Sequence, residues 1–170
     1  MTFTFTENKP GNSEARYPLI SGSQSSALNG IEYVVCTENE IANLGFEIRY
    51  EYHCGPFKEA LFVGDILAVG HEEYFYLYSL KRSQNILALK MDGYFGSLLH
   101  HNGRFYVADS AGVYCIATTG AICWHSPPLG VDGVLVHDVT DQHIHGSGEW
   151  DPPGGWQDFV LDIHTGALVE

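Results

Sequence analysis

The stretch NGRFYVADSAGVYCIATTGAICW, residues 102–124, decides the fold. Asn102-Gly103 is a tight-turn pair leading into Arg104-Phe105-Tyr106-Val107-Ala108, a run rich in strand formers. Asp109-Ser110-Ala111 interrupts it with turn chemistry, and Gly112-Val113-Tyr114-Cys115-Ile116 resumes the strand pattern. Thr119-Gly120 turns the chain again before Ala121-Ile122-Cys123-Trp124. The stretch therefore reads as strand, turn, strand, tight turn, strand, and no helical period fits it.

Working outward, the same unit occurs three times, over about 58–92, 95–126 and 132–170. The first copy holds Asp65-Ile66-Leu67-Ala68-Val69-Gly70, Phe75-Tyr76-Leu77-Tyr78-Ser79-Leu80 and Ile86-Leu87-Ala88-Leu89-Lys90. The third holds Asp141-Gln142-His143-Ile144-His145-Gly146, Asp158-Phe159-Val160-Leu161-Asp162-Ile163 and Thr165-Gly166-Ala167-Leu168-Val169. A further strand precedes each copy, at Ala60–Val63, Ser97–His100 and Gly133–His137. Upstream, strands are expected at Ile31–Cys36 and Phe46–Tyr52, with one short helical turn or two at Glu38–Leu44. Residues 1–30 alternate Thr and Phe, then turn rich in Ser, Gly and Pro, and are read as an edge strand followed by a mobile loop. Residues 31–170 are read as one β domain.

The repeat, quoted at 102–124 and again in Phe159-Val-Leu-Asp-Ile-His-Thr-Gly-Ala-Leu-Val, resembles the propeller blades of quinoprotein-type (PQQ-like) repeat proteins and their non-enzymatic relatives. Those blades carry a Gly-led strand, a Gly-x-Val-Tyr-x-Ile/Leu strand, then Thr-Gly and a strand ending in Trp. The first unit departs from the pattern, with Ser83-Gln84-Asn85 in place of Thr-Gly and no Trp after it. The resemblance implies an all-β fold, an open, partial β-propeller of about three to three and a half four-stranded blades. Closed propellers hold about four to eight blades. A sandwich-like stack of antiparallel sheets is the alternative. The resemblance implies no function and no quinone cofactor, and no cofactor is expected.

Composition narrows the function classes. With 8 Lys+Arg against 21 Asp+Glu, the formal charge is −13. That balance disfavours direct binding to nucleic acid or to an anionic membrane, both of which need clustered cations. A basic partner is the complement. No apolar run of about 18 residues is present. The first residues carry no secretory pattern, so a cytoplasmic location is expected, with Cys36, Cys54, Cys115 and Cys123 as free thiols. No Gly-x-Ser-x-Gly elbow, phosphate-binding glycine loop, HExxH or CxxC occurs, and no enzyme is expected. His53-Cys54 is a poor nucleophile pair, since neighbours on a strand point to opposite faces. His143 and His145 share a strand face and are the best metal candidates, with His137, Asp138 and Asp141 nearby; an ordinary polar strand face is the competing reading, and no metal is expected.

The charge map points to a binding face. After Arg104 no Lys or Arg occurs, while nine acids follow. Turns between the second and third strands of the units, at His71-Glu72-Glu73, Asp109-Ser110-Ala111 and Gly146–Asp158, are all acidic and lie on one face of a blade stack. The opposite turns, Lys81-Arg82, Thr118-Thr119-Gly120 and His164-Thr165-Gly166, are neutral or basic. Gly146–Asp158 reads as a long loop carrying two tryptophans, with the alternative that these rings cap the sheet. The expected partner-binding residues are Glu72, Glu73, Asp109, Glu149, Trp150, Asp151, Trp156 and Asp158.

In size, acidity and lack of a leader or catalytic motif, the chain as a whole resembles bacterial immunity proteins of toxin-delivery systems such as contact-dependent inhibition. That resemblance implies occlusion of a basic toxin, a nuclease above all, by a monomer that forms a heterodimer with it. Two alternatives stay open: a carbohydrate or small-ligand module using Tyr74, Tyr76, Tyr94 and Trp156, and a carboxylate-dependent hydrolase.

Overall fold

The computed structural model describes residues 2–11, 17–20, 28, 30–38, 41–151 and 154–169, and all of the regular structure among them is β. Four antiparallel sheets follow one another along the chain. The first contains β1 (Thr2–Thr6), β2 (Gly30–Glu38) and β3 (Ile41–Tyr50). The second contains β4 (Lys58–Val63), β5 (Ile66–His71), β6 (Tyr74–Ser79) and β7 (Gln84–Lys90). The third contains β8 (Ser97–His101), β9 (Arg104–Ala108), β10 (Val113–Ala117) and β11 (Ile122–His125). The fourth contains β12 (Val134–Val139), β13 (His143–Trp150) and β14 (Gly155–Asp162). Inner strands β1, β4, β8 and β12 lie side by side in that order.

Three apolar cores fill the three gaps between four sheets. Phe46, Ile48, Leu67, Val69 and Tyr76 join the first pair. Phe75, Leu77, Phe105, Val107 and Ile116 join the second, and Tyr106, Cys115, Val136, Ile144 and Leu161 join the third. No fourth core joins the last sheet to the first among the described residues, so the propeller is open. Each gap is filled by alternate residues of facing strands, which is why the blades show up as a period of two within a period near 37.

The repeat signature has a packing reason. Trp124, at the end of β11, donates its indole N–H to the Ile163 carbonyl at 3.1 Å. Gly166 lies beneath that ring with φ +69°, and a Cβ there would stand 2.4 Å from it. The outer-strand Trp of one blade thus docks on the Thr-Gly turn of the next, and only glycine fits the turn.

Two expectations change, and a third falls largely outside the described residues. The helical turn at Glu38–Leu44 does not form: Glu38 ends β2 and pairs with Ile41 of β3, residues 39 and 40 lying outside the described residues. A segment that short cannot outweigh the ladder joining two long strands. The long loop at Gly146–Asp158 is mostly strand, because β13 and β14 pair in unbroken register from His143↔Asp162 to Trp150↔Gly155. The mobile loop falls largely on residues 12–16, 21–27 and 29, outside the described residues. The segment at 17–20 lies along β3, where Glu47 and Ile20 exchange backbone bonds with Pro18 and Glu47.

Candidate functional site

Alternating strand direction puts the connections that follow β1, β3, β5, β7, β9, β11 and β13 on one loop face. The acids of this loop face divide into two groups. Glu72 and Asp109 turn inward and are only 2% and 0% exposed. Glu72 Oε2 accepts the Cys54 and Gly55 amides at 2.7 and 3.2 Å, and its Oε1 meets His53 Nδ1 at 2.8 Å. Burial alone would raise this carboxyl, but those three bonds outweigh it and hold it below the usual range. They also hold the residue at φ +51°, unusual for a glutamate. Asp109 Oδ1 accepts the Ala111 and Gly112 amides at 2.8 Å, closing its own turn. Neither carboxylate is displayed to a partner.

A second buried network escaped the sequence reading. Glu32 on β2 accepts from Lys58 Nζ at 2.7 Å and meets His71 Nε2 at 2.6 Å. Lys58 also lies 3.9 Å from Glu72, so one ammonium bridges two buried carboxylates across the first inter-sheet gap. Burial would raise the Glu32 carboxyl, yet bonds from His71 and Lys58 lower it. These residues stand 26 and 39 positions apart, so no local motif could show them; the one available signal was a glutamate at an inward position of the apolar run Gly30–Cys36. Beside this network His53 is bonded by Tyr50 and Glu72, and burial together with Glu72 pushes the Cys54 thiol up to about 12. A thiol held protonated in this way is no nucleophile at neutral pH.

The displayed acids gather at the β13–β14 hairpin. Glu149 pairs directly with Trp156, and Asp158 lies two residues along the same face. Trp156 is 50% exposed, its ring edge 3.4 Å from the position of a Cβ on Gly133. Tyr94 packs beside the same glycine and donates its hydroxyl to the Asp132 carbonyl. Burial, then the Asp132 and Glu149 carboxylates, push its phenol above the usual range, so it remains a donor. Asp151 is exposed at the hairpin tip, and Trp150 is half-buried on the other face of the sheet. Glu73 differs: it is bonded to Tyr52 and lies 3.3 Å from Lys90 Nζ. Among the described residues Glu149, Asp151 and Asp158 make no ion pair. Among the described residues, large apolar side chains exposed on this loop face include Tyr52, Phe57, Val131 and Trp156.

The opposite end is less bare of acid than the turn comparison suggested, because the first turn of each unit also lies there and adds Asp65 and Asp141. Those acids are occupied: Asp65 by Ser79, Asp141 by His101 and Asn102, and Asp162 by the Thr165 hydroxyl and the His164 and Thr165 amides. Lys81 and Arg82 edge a cavity of about 550 Å³ on this side. His143 and His145 stand with ring centroids 6.2 Å apart, and no group of three or more His, Cys, Asp or Glu able to hold a metal occurs among the described residues. Of the aromatics considered for a sugar, Tyr76 is core, stacked on half-buried Tyr74. All four cysteines are free thiols, with Cys115 and Cys123 on paired strands.

No protein-family model and no curated protein sequence matches the chain. Among solved structures it is similar to BamB from Moraxella catarrhalis, with a TM-score of 0.56 and 12% identity, over 81% of this chain and 42% of that one. Weaker likenesses include the N-terminal domain of Nup159 (TM-score 0.47, 13% identity, 78% of this chain and 36% of that one) and the glutaminyl cyclase of Myxococcus xanthus (TM-score 0.40, 13% identity, 89% and 66%). The chain spans less than half the length of BamB. At such identity the likeness establishes a propeller-like fold and nothing of activity.

Proposed function

We propose that this chain is a non-enzymatic binding protein that inhibits a basic protein toxin, a nuclease, by covering its cationic active site with the Trp156 end of the arc. The observation that carries the reading is an exposed tryptophan standing beside Glu149 and Asp158, with Asp151 exposed at the tip of the same hairpin, three carboxylates that make no ion pair among the described residues. A half-exposed Trp backed by a rigid hairpin is the usual chemistry of an interface anchor. Carboxylates without local counterions attract a cationic surface at long range. A nuclease supplies that surface, since its cations must hold phosphate. The partner set is smaller than the turn pattern suggested: Glu72 and Asp109 serve the fold, and Glu73 is shared with Lys90. The same inward use of the best-placed carboxylates, with Glu32 and Glu72 bonded by Lys58 and two histidines, favours binding over a carboxylate hydrolase. In this reading the protein works in the cytoplasm, as a monomer that forms a one-to-one complex.

The test is capture of partners from the source cells on the tagged chain, followed by kinetics at low and high salt. The expected partner is basic, and its hydrolysis of nucleic acid stops at one equivalent of the chain. Changing Glu149, Asp151 and Asp158 together to Lys is expected to slow association at least about tenfold, whereas changing Lys81 and Arg82 to Glu leaves it within about twofold. Salt-independent association, or a triple variant that associates as fast as the parent, overturns the reading.

A further inference from the structure

The outer edges of the four sheets are finished in different ways. The edge of β3 is covered by residues 18–20, and the pairing of β3 with β2 shifts register at Cys36/Thr37. The pairing of β7 with β6 shifts at Leu77/Tyr78. The edge strand β11 has only four residues and shifts at Cys115/Ile116. Short length, cover and bulges are the ordinary means of keeping an edge from adding a foreign strand. By contrast β14 has eight residues and no register shift.

Only half of that edge is covered. Val169 donates to the Val160 carbonyl at 2.8 Å, and Asp162 donates to the Ala167 carbonyl at 2.9 Å. These bonds show that Val160 and Asp162 direct their backbone groups outward. By the two-residue alternation of an antiparallel strand, Asp158 and Trp156 do so too. No described residue pairs with the outward N–H and C=O of Asp158 and Trp156. The open half of the edge therefore lies directly beneath the exposed indole and beside the Asp158 and Glu149 carboxylates on the same face.

We propose that the outer edge of β14 from Gly155 to Phe159 is a strand-addition site that accepts an extended, lysine- or arginine-bearing segment of a protein partner, in line with the 167–169 segment. Backbone bonds to Trp156 and Asp158 supply the alignment. Side chains on alternate positions of the added strand meet Trp156, Asp158 and Glu149, so cations and an apolar residue are selected there. The charge of the occupant rests on the partner reading above; the open edge does not.

The probe is a ten-residue peptide alternating Lys and Val, added to the intact chain, with hydrogen exchange and Trp fluorescence as readouts. The Asp158 and Trp156 amides are expected to exchange at least tenfold more slowly in the complex. The same peptide methylated on every backbone amide keeps its charge but has no donors, and it is expected to bind at least tenfold more weakly. D158N keeps the outward N–H and removes the charge; D158P removes both, at an edge position where proline is tolerated. D158P is therefore expected to bind the peptide at least fivefold more weakly than D158N. Methylated and parent peptides binding within twofold of each other overturns strand addition, as does slow exchange at Asp158 that rises with protein concentration without peptide, which would assign the edge to a second copy of the chain. A captured partner that binds D158P as tightly as D158N but loses affinity for W156A leaves the proposed function standing and removes this inference.

Discussion

The two ends of the arc are built from the same kind of sheet and are finished in opposite ways. At the first sheet, Tyr17 packs edge-on to Tyr33 and fills the space beside Gly45, residues 18–20 cover the edge strand, and Glu32, Lys58, His71 and Glu72 are paired inside the joint with the second sheet. At the last sheet the edge is half open, Trp156 faces solvent, and three carboxylates stand without cations among the described residues. The polar groups that hold the fold are hidden and bonded, apart from Asp109 Oδ2 and His71 Nδ1, which have no partner among the described residues; those at the hairpin stand in the open without cations. The contrast assigns stability to one end and recognition to the other.

Breaking the sealed end has the largest expected effect. Glu32→Ala takes away the partner of His71 and leaves Lys58 with only Glu72, 3.9 Å off, and removing one partner of a buried pair costs about 3 kcal/mol or more. Urea unfolding at pH 7 is expected to show that loss with an unchanged slope, whereas a loss under about 1 kcal/mol would mean that solvent reaches the network.

Next is the blade joint. Gly166→Ala puts a methyl where the Trp124 ring lies and forces a residue other than glycine to φ +69°. Overpacking and backbone strain each cost about 1–3 kcal/mol, so a loss of at least about 2 kcal/mol is expected in the same assay. A neutral result would show that the joint has room to shift.

Acid should unseal the same end. Glu32 and Glu72 are held below the ordinary carboxylate value of 4.5 when folded. The unfolded chain therefore binds protons first, and the stability these groups supply is complete above about pH 4.5 and is lost as pH falls through their lower folded values. Unfolding midpoints from pH 6 to pH 3 are expected to fall in the parent and to fall less steeply in Glu32→Gln. Equal slopes would place the acid-sensitive groups elsewhere.

Much of this architecture was legible in the sequence, and the reasons are local. The 102–124 unit carries its own turns, its own alternation and the Gly120 and Trp124 positions that mark a blade. Asp109-Ser110-Ala111-Gly112 was legible in principle as well, because an Asp three residues before a Gly commonly closes its own turn and is then unavailable outside. The Gly146–Asp158 segment misled because Gly, Pro and Trp crowd together there, although the eight paired positions of β13 and β14 carry it as a hairpin. The Glu32–Lys58–His71 cluster was out of reach, since its members meet only after three strands of two sheets have packed. A turn acid that caps backbone amides and one that faces water look alike until burial separates them.

The smallest effect on stability is expected at the exposed end, and there the central claim is tested most directly. Trp156→Ala removes a ring that is 50% exposed, so the urea midpoint should correspond to a change within about 0.5 kcal/mol. The same variant should bind the captured basic partner about 30-fold more weakly, as loss of a hot-spot anchor worth about 2 kcal/mol requires. Unchanged stability with a large loss of affinity, measured on one preparation, is the predicted result. Unchanged affinity, or affinity lost only in step with stability, would contradict the account and make Trp156 a cap on the sheet.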